Sequence, residues 1–325
     1  EVLGFDTARS TDHNWGPRLQ LFLPPQERAR GRQVSALLAE RLPGTVLGYP
    51  TNLVVDPASG TRHMATGAGP IAHGVEITDL AGWFETHLGF HPGEPISTAQ
   101  WLAVPTQNLA AATGGAVFHD DTGELTTARH QLAWYPSDVW RYVLASQWQR
   151  IAEEEPFVGR CGEVGDELGS AVIAARLIRD LMRLILLQQR AYPPYNKWLG
   201  SAVARLPGAG DILPTLGTAV TAPTWQQREA ALAHAYEWTA TVHNQLDLTP
   251  VLDPAPRRFH DRPFRVLGAE RFAAALRATI SDRRLRDLPL IGAVDQWIDN
   301  TTAIGQLDAL QRALPAMTTG KPRPT

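Results

Sequence analysis

The spacing of apolar residues changes character about a third of the way along the chain. Arg18–Leu23 alternates apolar and polar positions, the period of a half-buried strand, and Pro24-Pro25 ends it. Gln26–Leu42 carries Val34, Leu37, Leu38 and Leu42 at helical spacing and closes at Pro43-Gly44. Thr45–Tyr49 and Leu53–Val55 read as short strand pieces, and Asp56–Gly60 as a turn. Gly74–Thr78 predicts another strand; Thr78 or Asp79 then caps a helix that runs through Leu88 and stops at Gly89. Past residue 95 the strand pattern fades. A helix is expected over Thr98–Thr113, then a Gly114-Gly115 break and a turn at Asp120–Gly123. Ser137 should cap a helix reaching about Glu155, and one long apolar helix should span Gly162 to Arg190, stopped by Pro193-Pro194. Ala202–Leu206, Trp225–Leu246, Glu270–Ile280 and Asp295–Ala313 continue the helical theme. The pattern predicts an α+β chain: a small mixed α/β domain over 1–120, an all-helical domain over 121–317, and a frayed tail over 318–325.

Composition narrows the function classes. The 325 residues give room for two domains, and 44% hydrophobic with 19% charged residues is the balance of an ordinary globular core. A net charge of −3 supplies no basic footprint, so a nucleic-acid partner is not expected. Arginine carries nearly all the positive charge; the lysines are Lys197 and Lys321, which makes Lys197 conspicuous. Cys161 is the only cysteine, which rules out an intramolecular disulfide and a cysteine-based zinc site. No apolar run approaches the roughly 18 residues of a membrane span. Glu1-Val2-Leu3-Gly4 lacks the basic region and apolar core of a signal peptide, so a cytoplasmic location and no membrane partner are expected.

The candidate chemistry gathers in a few stretches. If Ser10-Thr11-Asp12-His13-Asn14 enters a strand, Asp12 and Asn14 share one face. His13 and Trp15 would then point to the other face and into the core. The plainer alternative is a polar loop leading into the strand. Asp6 and Arg9 lie in the preceding loop, where they either contact a ligand or stabilise a turn; Arg18 either clamps phosphate or lies on the surface. Glu76 sits between Val75 and Ile77 on its strand. In the helical half, Glu163, Asp166 and Glu167 open the long helix, where acids favour the helix dipole or line a concave site. Arg176, Arg179 and Arg183 share a helix face and require anionic partners, with structural acids preferred to a triphosphate. Tyr192–Trp198 sets Lys197 among rigid prolines and aromatics, a phosphate-contact candidate or a packed turn. His260-Asp261 reads as part of a buried interdomain loop rather than a catalytic dyad. The chain has no nucleophile elbow, Walker loop, dinucleotide fingerprint or zinc-protease motif.

Gly4, Ser10, Asp12, Asn14, the following apolar strand and Glu76 resemble the signature of the DNA polymerase β-like nucleotidyltransferase superfamily. That signature is a Gly-Ser pair at a helix start, a glycine a few residues on, a Ser-Asp-x-Asp strand and a third carboxylate on a neighbouring strand. Gly4 falls on the family's glycine if Gly-Ser directly precedes Glu1, so the chain is expected to start just past that pair. Over a longer span the chain is similar to a bacterial, largely actinobacterial, family of unassigned function, domain of unknown function 4037. The likeness rests on Phe5–Arg18, Gly159–Ser170, Tyr192–Gly200, Phe259–Val266 and Leu290–Asp295.

The resemblance implies transfer of a nucleotidyl group from a nucleoside triphosphate such as ATP to a small hydroxyl- or amine-bearing acceptor. One or two Mg2+ ions would be held by Asp12, Asn14 and Glu76 and would neutralise charge on the phosphoryl oxygens. Asp12 and Glu76 match the catalytic carboxylates. By analogy with antibiotic nucleotidyltransferases Glu167 is the general base, ahead of Glu163 and Asp166. Asp6, Arg9, Asn14, Arg18, Arg176 and Lys197 are the expected substrate contacts. Asn14 departs from the pattern, offering an amide oxygen where a bridging carboxylate belongs and so weakening a second ion site. The alternative is a repurposed fold that binds a nucleotide or metabolite, or runs a metal-independent reaction.

Overall fold

The computed structural model describes residues 2–12, 14–67 and 69–319, without the side chains of residues 12 and 315–319. The chain is α+β, with three small two-stranded sheets in its first third, a fourth pairing Arg257–Arg258 with Arg265–Val266, and helices through most of the rest. It divides into two compact units, residues 1–94 with 114–128 and residues 95–113 with 129–325. Sequence order puts 95–113 before the boundary expected at 120; in the structure that segment packs with the second unit. No helix among the described residues is long and apolar enough to cross a membrane. The tail expectation falls mostly on residues outside the description, although Thr318 and Thr319 still belong to the helix Leu307–Thr319.

In the first unit, the strand Arg18–Phe22 pairs in parallel with Gly74–Thr78, Gln20 standing opposite Glu76. A separate antiparallel hairpin joins Asn52–Val55 to Arg62–Ala65. Its turn closes because Asp56 accepts the Ala58 N–H at 2.9 Å and the Ser59 hydroxyl at 2.7 Å. The Ser59 bond, ahead of the Ala58 bond, holds the Asp56 carboxyl below its ordinary range. The helix Leu80–Leu88 starts where Asp79 accepts the Gly82 N–H at 2.8 Å and ends at Gly89, left-handed at φ 72°. These elements follow their sequence signals closely.

The second unit is built on three long helices, Ser137–Glu154, Glu167–Gln188 and Trp225–Gln245. Trp148 stacks on Phe272 of the helix Glu270–Ala278, ring centroids 4.7 Å apart, at the centre of a fully buried cluster. Three expected helices are each broken, and each break has a local cause. Thr98–Thr113 splits at Val104-Pro105, where Pro105 has no N–H to continue the ladder. The stretch from Gly162 splits between Phe157–Glu163 and Glu167–Gln188, because Gly165 turns left-handed at φ 79° and Asp166 caps a fresh helix. Asp295–Ala313 divides into Val294–Trp297, Thr301–Ile304 and Leu307–Thr319, with Asn300 accepting the Ala303 N–H at 2.9 Å to start the second piece. Ser137 is the first residue of its helix and Pro136 occupies the cap, so the expected serine cap is not formed.

Candidate functional site in the helical unit

The opening motif does not form the two-residue strand face expected of it. Ala8–Asp12 is a short 3-10 helix and the strand begins only at Arg18. The cause is local: Ser10 accepts the Thr7 N–H at 3.1 Å and the Thr11 hydroxyl donates to Ala8 O at 2.9 Å, so short polar side chains close a tight turn. Asn14 adopts a left-handed backbone at φ 51°. Its N–H donates to Arg62 O at 2.7 Å and its Oδ1 accepts the Arg62 N–H at 3.1 Å. Its own carbonyl accepts from the exposed Arg18 guanidinium. Asn14 therefore clasps the start of the Arg62–Ala65 strand and does not alternate with Asp12 on one face. Trp15 lies edge-on to Tyr49, centroids 4.8 Å apart. His13 and the Asp12 side chain lie outside the described residues.

Arg9 is exposed on the 3-10 helix, Asp6 is half-buried, and Glu76 is exposed on its strand. A magnesium ion needs several hard oxygen donors converging on one point. Asn14 Oδ1 is already engaged by a backbone N–H, and among the described residues no group of three or more His, Cys, Asp or Glu is arranged to hold a metal.

In the helical unit most of the nominated charges have protein partners. Glu167 accepts from Arg228, a side chain only 4% exposed, at 3.1 Å and from the Trp225 N–H at 3.2 Å. That geometry ties two helices together and spends both oxygens of the expected general base. Asp166 caps its helix through the Gly169 N–H at 2.7 Å, and Glu163 pairs with Arg262 at 2.9 Å. Arg176 pairs with Glu154, and Arg179 with Asp299 at 2.9 Å. Lys197 is exposed, 4.7 Å over the Trp198 ring. His260 and Asp261 are exposed, so the loop read as buried lies on the surface.

One nominated arginine differs. Arg183 is 8% exposed and lines a cavity of about 340 Å3 within the second unit. The cavity lies between the Glu167–Gln188 helix, the Pro193–Asn196 segment, the start of Thr106–Thr113 and the broken helices from Val294. Arg183 donates to Asp295 O at 2.6 Å and to Asn196 Oδ1 at 3.1 Å. Both acceptors are neutral. Among the described residues no carboxylate forms an ion pair with it. Burial, reinforced by Arg179, holds the guanidinium pKa below its ordinary value, while Asp295 and Asp180 pull the other way.

The neighbouring acids are committed elsewhere. Asp180 lies 3.1 Å from Arg150 and 3.6 Å from Arg179, and Asp299 belongs to Arg179. Asp295 accepts the Thr106 N–H at 2.7 Å, yet burial raises its pKa above the usual range and outweighs that bond and the Arg183 charge. Gln147 and Gln296 are buried and hydrogen-bonded to each other at 2.9 Å, which fixes the polar wall. Gln107 holds the proline segment by accepting the Tyr195 N–H at 3.1 Å.

Sequence reading identified Arg183 and the Tyr192–Trp198 segment but not Thr106, Gln147, Asp295 or Gln296. Their partners lie dozens of positions away, so no spacing rule joins them. The available signal was that Tyr192–Gly200 and Leu290–Asp295, two of the family-like stretches, both contribute residues to this cavity.

No curated protein and no solved structure matches the chain. Residues 101–199 match the family model described as Domain of unknown function (DUF4037), which supports that family for the segment carrying most of the cavity wall.

Proposed function

We propose that the protein binds a small molecule, a nucleotide or other metabolite, in the cavity of its helical unit. The observation that supports this is the partly open cavity of about 340 Å3 with a buried arginine on its wall. That size falls within the roughly 300–1,000 Å3 of ligand pockets, and the lining combines apolar surface with a few fixed polar groups, the usual makeup of such sites.

Ligand-detected NMR on the full chain, screening nucleotides and common metabolites, tests the reading. Ile304 lines the cavity, and Ile304→Trp fills it. Binding by at least one compound that Ile304→Trp abolishes is the expected result; binding unaffected by that change places the ligand elsewhere and rejects the reading.

Nucleotidyl transfer to a small acceptor is the second reading. What favours it is Glu76, exposed on a strand paired in parallel with the one that follows the opening motif. On that reading Glu76→Gln abolishes release of pyrophosphate from a nucleoside triphosphate and leaves cavity binding intact. A wild-type chain that releases no pyrophosphate with magnesium and a panel of acceptors sinks it.

A further inference from the structure

Arg183 is placed as a cation waiting for a partner. A guanidinium has five N–H donors, and the hydrogen bonds of Arg183 use one each of Nη1 and Nη2. Both go to neutral oxygens, so they orient the group without cancelling its charge. A buried charge without a counter-ion is costly, and proteins keep one where something else completes it. The surrounding ionic groups do not complete it. Arg150 and Arg179 share Asp180, and Arg179 also takes Asp299. The carboxylate of Asp295 is turned to the Thr106 N–H, and it is the backbone carbonyl of Asp295 that receives Arg183. Arg183 also lines a space whose other walls include Val143, Leu187, Pro193, Pro194 and Ile304. A charged end and an apolar body are thus provided for separately.

We propose that the cavity takes a small organic anion, a carboxylate or a phosphate monoester, whose charged group meets the unspent N–H groups of Arg183. This rests on the reading of the cavity as a ligand site and adds the chemical class. Arginine suits both anions because its planar fork matches two of their oxygens at once. Asn196 is the built-in control. Replacing its amide by a carboxylate, Asn196→Asp, puts an anion 3.1 Å from Arg183 Nη2 with no change in side-chain size. The variant should fold at least as well as the wild type and should no longer admit an external anion.

The test is titration calorimetry on the full chain with benzoate, phenyl phosphate and the neutral benzyl alcohol. The expected result is binding of one or both anions at least tenfold tighter than the alcohol. Asn196→Asp should weaken it at least tenfold with an unchanged or higher melting temperature, and Ile304→Trp should remove it. Tighter binding of phenyl phosphate identifies a phosphate site, and tighter binding of benzoate a carboxylate site. Benzyl alcohol binding as tightly as the anions overturns the anion assignment and leaves the cavity reading standing. Anion binding that survives both substitutions overturns the assignment to Arg183. If none of the three probes binds at millimolar concentration, both the class and the cavity reading fall.

Discussion

Asn14 shows how one residue can carry two incompatible readings until its neighbours are in place. As a sequence position it stands two residues from Asp12, the spacing of a metal-binding strand. In the structure its left-handed backbone and its oxygen both serve Arg62. Asparagine tolerates that conformation better than most residues, and its short amide can bond locally. Asn14→Ala should therefore lose a hydrogen bond worth about 1 kcal/mol and force an alanine into a region costing about 1–2 kcal/mol. Chemical denaturation checks the combined loss. Asn14→Asp retains an acceptor and should leave magnesium affinity, measured by calorimetry, unchanged; a clear rise would place position 14 at an ion site after all. Glu167 carries a similar lesson: its place at a helix start was legible, but Arg228, its buried partner, was not.

At the scale of elements, the chain's punctuation was readable while its breaks were underestimated. The stretch from Gly162 leads into the apolar positions of Glu167–Gln188 with no proline to mark a break, although Val164 and Leu168 are exposed. The interruption comes at Gly165, whose left-handed backbone separates the two helices, while packing against Trp225 holds position 162 to glycine. A Cβ on Gly162 would lie 2.0 Å from Cγ of Trp225, and Gly165 needs φ 79°. Gly162→Ala should cost about 1–3 kcal/mol as an overpacked contact. Gly165→Ala has open space around it and should cost about 1 kcal/mol through backbone strain alone. The two are separated by adding Trp225→Leu, which should relieve the first and leave the second. A cost for Gly162→Ala that persists in the Trp225→Leu background would reject packing against Trp225 as its cause.

For the molecule as a whole, two buried titrating groups oppose each other. His243, 1% exposed, accepts from Trp148 Nε1 at 3.3 Å and bonds Thr249 at 3.1 Å. Burial lowers its pKa from 6.5 to about 4, so the unfolded chain takes up a proton first and stability falls as pH drops from 6.5 toward 4. Glu155 accepts from the N–H groups of Leu267, Gly268 and Ala269. Burial nevertheless raises its pKa from 4.5 to about 7, so the folded chain holds the proton longer and stability falls as pH rises from 4.5 toward 7. Each difference corresponds to about 3 kcal/mol, and the two slopes cancel between about pH 4.5 and 6.5. Wild-type melting temperature from these two groups should be nearly flat there. Glu155→Gln, though less stable throughout, should unmask a melting temperature that rises with pH across that window. A flat profile in the variant would show that His243 does not titrate as its burial implies.

The amino-acid sequence by itself determined the α+β class, the strand carrying Glu76, the Asp79-to-Gly89 helix and the helical character of the later chain. These rest on local rules, periodicity, caps and turn residues, which act over a few positions. The structure alone decided which charges are spent and which are left over. Arg176, Arg179 and Arg183 look equivalent in sequence, three cations on one helix face. Glu154 and Asp299 neutralise the first two, while Arg183 meets only neutral oxygens beside an open cavity. That difference is set by partners up to 120 positions away. Coulomb energy and desolvation depend on distance through space, which residue spacing along a chain does not encode.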